Sequence, residues 1–130
     1  MSDFQPMKDL KLVQVPELPS LDSFKDMLAK QRELMKAYYV PNLDEQTTKD
    51  KNDYSMRVTV AMEDEISELR GQLNWKWWKK PHPIDETELK FEITDLFFFV
   101  LTLMVTWNIS AEEAYSLYLT KHEENVRRQK

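Results

Sequence analysis

The segment LKFEITDLFFFVLTLMV, residues 89–105, decides the fold. It predicts a helix from about Asp85 or Glu86 to Trp107 that is apolar nearly all round, as expected of a helix at the centre of a bundle. Its longest apolar run, LFFFVLTLMV, is about half of the roughly 20 residues that a membrane-spanning helix needs, and acids lie just before it. The segment therefore reads as core. Its polar residues are not scattered: Glu88, Glu92, Asp95, Thr102 and Thr106 lie close to one stripe. A purely structural core helix has no reason to carry ions towards buried surroundings, because burying an unpaired charge is costly.

Outward from this helix, three more are predicted. The first begins near Ser20 or Asp22, either of which can cap the exposed amides, and runs through FKDMLAKQRELMKAYY. Phe24, Met27, Leu28, Gln31, Leu34 and Met35 follow helical spacing there, which turns Gln31 inward. VPNLDEQTTKDKND reads as a polar connection opened by Pro41. The second helix is expected from about Tyr54 to about Leu73, with Glu65 and Glu68 on one face, and the prolines of PHPIDE break the chain after it. Ser110, with Glu113 three positions later, is a capping box for the last helix. Pro6, Pro16 and Pro19 predict an extended segment over residues 1–20. The expectation is one all-α domain over residues 1–130, a bundle of about four main helices behind an extended segment that contains proline.

Composition agrees. One glycine against six prolines is too few for sheets joined by tight turns. Lys and Arg total 18 against 23 Asp and Glu, and the net charge of -5 argues against nucleic acid and against a membrane surface as partners. No cysteine is present, which removes disulfides and thiolate zinc sites. The first twenty residues carry charges and prolines where an export signal needs an apolar stretch, so a cytoplasmic location is expected.

Glu65 and Glu68 form an E-x-x-E pair, and Glu92 and Asp95 an E-x-x-D pair. If the two helices pack face to face, four acids converge, and such a cluster is unfavourable unless cations neutralise it. Hard oxygen donors suit Mg²⁺ or Mn²⁺, which in turn bind phosphates. The plainer alternative is a solvated acidic face. A helical di-iron site fails on its own terms, since neither His82 nor His122 has a glutamate three positions earlier. Trp75, Trp77 and Trp78 stand beside Lys76, Lys79 and Lys80. They form either the plug of a bundle end or a wall for a planar base with cations near its phosphates.

The order E-x-x-E, WKWWK, E-x-x-D on an apolar helix, then Tyr118-x-x-Lys121 and Asn125-x-x-Arg128-Gln129, resembles the dimeric all-α dUTPases. These sit within the all-α nucleoside triphosphate pyrophosphohydrolase superfamily that also holds the MazG proteins, and the pattern is similar to small phage-type members. The resemblance implies that Glu65, Glu68, Glu92 and Asp95 hold Mg²⁺ ions, for which Mn²⁺ could substitute. It implies that Gln31 contacts the base, and that Trp75, Trp77, Trp78 and Lys79 help to close the pocket. Tyr118, Lys121, Asn125 and Arg128 would supply phosphate and sugar contacts. Met35 stands where the family usually has asparagine.

The function implied is Mg²⁺-dependent hydrolysis of dUTP to dUMP and pyrophosphate by a homodimer, in a bacterial or phage-infected cell. Water would attack the α-phosphorus while Glu65 or Glu68 takes its proton. A dCTP/dUTP or broader MazG-like specificity is the alternative. The rival of another class is a non-catalytic helical interaction module that grips a partner through its Pro-rich start and Trp patch.

Overall fold

The computed structural model describes residues 20–129. The elements are α1 (Ser20–Tyr38), a one-turn 3-10 helix (Leu43–Glu45), α2 (Thr48–Gly71), α3 (Glu86–Thr106) and α4 (Ala111–Gln129). The expected all-α architecture is present. Of the segment expected to be extended, residues 1–19 lie outside the described residues, and Ser20 opens α1.

The helix read as central is central: α3 packs against both α2 and α1, while α4 packs mainly against α1. The core gathers Met35 from the end of α1, Val40 just beyond that helix, Leu43 from the 3-10 turn and Val105 from α3, with Leu28 and Tyr54 packed against them. Met35 is 0% exposed, so the residue that departs from the family pattern sits in the core. Lys36 donates to Asp44 at 2.7 Å and Arg32 pairs with the same carboxylate, which ties the 3-10 turn back to α1. The Lys36 hydrogen bond, with that of Arg32, holds the Asp44 carboxyl below its usual range.

α2 begins six residues before the expected Tyr54, and the physical reason is local. The Thr47 hydroxyl accepts from the Asp50 amide at 3.1 Å while the Asp50 carboxylate accepts from the Thr47 amide at 3.0 Å, a complete capping box. Lys49 and Asp53 then pair at 2.8 Å one turn apart. The polar run thus forms the solvated first turns of a helix, which lack the apolar periodicity by which a helix is read.

Asp85 caps α3 by accepting from the Glu88 amide at 3.1 Å. The helix ends in a Schellman turn: the Ile109 amide donates to the Met104 carbonyl at 2.8 Å and the Asn108 amide to that of Val105 at 3.1 Å. Asn108 adopts φ 56°, a left-handed conformation that asparagine tolerates better than most residues. Ser110 follows at once as a cap, accepting from the Glu113 amide at 3.1 Å, and α4 leaves α3 at a bend of 110°. Among the described residues no single helix is long and apolar enough to cross a membrane.

Candidate active site

α2 and α3 lie side by side, and the E-x-x-E pair of one faces the E-x-x-D pair of the other. Glu65, Glu68 and Glu92 each bring a carboxylate oxygen within 4.8 Å of the others. Glu65 is only 2% exposed, Glu92 is half-buried and Glu68 opens to solvent. Asp95, the fourth expected ligand, is buried beside this trio but outside its 4.8 Å set.

Among the described residues no ion pair reaches Glu65, Glu68, Glu92 or Asp95. The consequences appear in the carboxyl groups themselves. Burial, followed by the charges of Glu68 and Asp95, pushes Glu65 up to about 7. Glu92 and Asp95 are raised too, each first by burial and then by Glu68. One oxygen of Glu65 and one of Glu92, both Oε2, are buried with no hydrogen-bond partner among the described residues. Buried polar atoms are ordinarily satisfied, so two such carboxylate oxygens in one cluster mark an arrangement with no positive partner among the described residues. The donor set fits a hard divalent cation: all oxygen, anionic and open to solvent on the Glu68 side.

Further along α3, Thr102 lies seven residues from Asp95 on the same stripe. Gln31 of α1 donates from Nε2 to Thr102 Oγ1 at 2.8 Å, and both side chains are buried. The inward turn expected of Gln31 is therefore observed. Thr102, noted in the sequence only as part of the stripe, is the partner that sequence reading missed. Its position two turns beyond Asp95 was the available signal.

The tryptophans occupy the loop after α2. Asn74 spans its base, donating from Nδ2 to the His82 carbonyl at 3.0 Å and accepting from the His82 amide at 2.8 Å. Trp78 meets Trp77 edge-on at 4.7 Å between ring centroids and Trp75 at 5.9 Å, and Lys76 Nζ lies 5.3 Å from the Trp75 ring. The cluster does not plug the bundle: Trp77 is 85% exposed, and Trp75, Trp78 and Lys79 are exposed with it. The α4 residues stay equally open. Among the described residues the ring and ionic contacts of Tyr118 and Arg128 stay within α4, with Tyr118 stacked on His122 at 5.9 Å and Arg128 Nε 3.2 Å from Glu124, while Lys121 and Asn125 are exposed. The single chain thus assembles the acids and Gln31 by packing, and leaves the tryptophan and α4 groups on its surface. An open hollow of about 440 Å³ between α1 and the α3–α4 turn, lined by Lys25, Arg32, Val105 and Glu112 among others, contains none of the expected site residues.

Comparison with known proteins places this arrangement. The dUTPase family pattern matches residues 23–114, a span that includes Gln31, the four acids and the tryptophans and stops before Tyr118. The chain is 34% identical over 95 residues to a dCTP pyrophosphatase of Enterobacteria phage T4, covering 62% of this chain and 56% of that protein. It is 37% identical over 67 residues to a dCTP pyrophosphatase of Enterobacteria phage LZ5, covering 42% and 39%. A DNA replication protein of phage T4 is 33% identical over 89 residues, covering 58% of this chain and 23% of that one. The chain spans about half, or less, of the length of these curated relatives. No solved structure matches it. With the family pattern covering most of the chain and the E-x-x-E and E-x-x-D pairs brought together by an all-α bundle, the chain belongs to the dUTPase family.

Proposed function

We propose that the chain hydrolyses pyrimidine deoxynucleoside triphosphates, dUTP and dCTP, to the monophosphate and pyrophosphate. The observation that carries this reading is the carboxylate cluster of Glu65, Glu68 and Glu92, with two buried oxygens that have no hydrogen-bond partner among the described residues. The family match and the two relatives named dCTP pyrophosphatase support the choice of pyrimidine substrates. A non-catalytic interaction module offers no account of three converging carboxylates.

In this proposal Glu65, Glu68, Glu92 and Asp95 would hold Mg²⁺, with Mn²⁺ a substitute, and the ion would supply charge neutralisation for the acids and for the triphosphate oxygens. Glu65 or Glu68 accepts the proton of the water that attacks the α-phosphorus, and the bond from that phosphorus to the bridging oxygen breaks to release pyrophosphate. Gln31 meets the base edge. Trp75, Trp77 and Trp78 cover the base, with Lys79 towards the phosphates. Tyr118, Lys121, Asn125 and Arg128 would complete the phosphate and sugar contacts, and a homodimer would bring exposed surfaces together. The exposed apolar residues on the outer faces of α2 and α3, among them Met56, Val60, Ile93 and Phe98, favour such a dimer.

Incubating the protein with each deoxynucleoside triphosphate in turn tests the reading. Pyrophosphate is expected from dUTP or dCTP with Mg²⁺, none in EDTA, and recovery on adding Mg²⁺ back; full turnover in the chelator would sink the metal assignment. Sedimentation should give about twice the 15.6 kDa chain mass, and a monomer at micromolar concentration counts against the dimer.

A further inference from the structure

A threonine hydroxyl has one proton to give. Thr102 Oγ1 lies 3.0 Å from the Phe98 carbonyl, which can only accept, and 2.8 Å from Gln31 Nε2. With its proton committed to Phe98, Thr102 offers Gln31 only lone pairs. The Gln31 amide must turn its NH₂ towards Thr102, and its carbonyl Oε1 is then turned the other way. Both residues are 6% exposed, so no bulk water stands by to relax this requirement.

An unconstrained glutamine can read a base edge either way round, because carbonyl and NH₂ exchange places by rotation about one terminal torsion. Cytosine and uracil differ by that same exchange. At ring position 4 cytosine donates from an amino group where uracil accepts at a carbonyl, and at position 3 cytosine accepts where uracil donates. A glutamine locked in one orientation meets these two edges unequally. Thr102 also sits two helical turns, about 10 Å along the axis, from Asp95 on the same stripe, a separation suited to a nucleotide with its base at Gln31 and its phosphates at the acids.

We infer that Thr102 is a positioning residue that fixes which way Gln31 reads the pyrimidine edge, so that discrimination between cytosine and uracil is set by a side chain that never touches the base. This rests on the proposed pyrimidine triphosphate reading above. Thr102→Val keeps the shape and removes the hydroxyl, releasing the amide to turn.

The test is kcat and KM for dCTP and for dUTP, with Mg²⁺, in the parent protein and in Thr102→Val, Thr102→Ser and Gln31→Ala. The parent should prefer one base. In Thr102→Val the ratio of the two kcat/KM values should move roughly tenfold towards unity, the scale of one well-made base contact, with the change in KM rather than kcat. Thr102→Ser, which keeps the hydroxyl, should restore the ratio. If circular dichroism shows Thr102→Val unfolded, Thr102→Ala carries the same prediction. A fall in activity on both substrates with an unchanged ratio means a merely structural Thr102 and overturns the inference, as does a parent protein that does not discriminate. Gln31→Ala separates the two levels of the argument. If it leaves the ratio unchanged, Gln31 does not read the base and the base assignment fails; if it collapses the ratio while Thr102→Val preserves it, only the role of Thr102 fails.

Discussion

The α2–α3 acidic face and the tryptophan loop with α4 both carry expected site residues, yet the chain treats them in opposite ways. Glu65 and Asp95 are buried, without an ion pair among the described residues, and raised in pKa by burial and neighbouring acids, whereas Trp77, Tyr118 and Lys121 stand in solvent. Helix packing holds the acids where they oppose one another, so their geometry exists before any ligand arrives. The exposed groups are organised only locally, by the Asn74 clamp and by ring contacts among neighbours. One half of the candidate site is brought together by helix packing; the other is not gathered by the single chain.

The largest effect expected from this contrast lies at Glu65. Glu65→Gln removes a charge but keeps the shape, and hydrolysis should fall by about 10²–10⁴ while the melting temperature in EDTA rises by a few degrees. A variant less stable in EDTA yet active would place Glu65 in a structural ion pair. On the exposed side the pattern should invert. Trp77→Ala should raise KM for every nucleotide by roughly tenfold, the worth of one stacking contact, with the melting temperature unchanged because the ring buries little. Unchanged kinetics would remove Trp77 from the site.

A pH titration of stability sharpens the comparison further. Glu65 is raised in the folded protein from 4.5 to about 7, so the folded state binds its proton more tightly than the unfolded chain does. In EDTA this contribution is fully present below pH 4.5 and is lost as pH rises through 7, giving a melting temperature that falls across that window. Saturating Mg²⁺ should flatten the slope, and an identical slope with and without the ion would disconnect the acids from metal binding. The smallest effect belongs to a residue in neither region: Thr47→Ala breaks the α2 capping box and should cost about 1 kcal/mol with kcat and KM unaltered.

Much of this contrast is legible in the amino acids. Acids three apart on two helices, one pair inside a strongly apolar segment, announce a convergence because helical periodicity and burial cost together leave few alternatives. Gln31 is visible for the same reason, as a polar residue on an apolar face. The start of α2 is hidden because residues 48–53 have no apolar face, only a cap and an ion pair. The pairing of Gln31 with Thr102 joins residues 71 apart and depends on how α1 lies against α3, which no local pattern encodes. Nor do the tryptophans declare their exposure, since aromatic residues suit a core and a binding surface alike.

α3 raises a problem of rotational phase. A helix with Phe97, Phe98 and Ile93 on its outer side and Leu101 and Val105 within could bury nearly as much apolar surface after rolling about its axis. Its stripe of Glu92, Asp95, Thr102 and Thr106 breaks that degeneracy, because only one rotation pairs Thr102 with Gln31 and keeps the acids opposite Glu65 and Glu68. The stripe acts as a keel. The residues proposed to bind metal and orient the base also index the helix, so replacing them together with apolar residues would strengthen burial while erasing the mark by which the bundle finds its register.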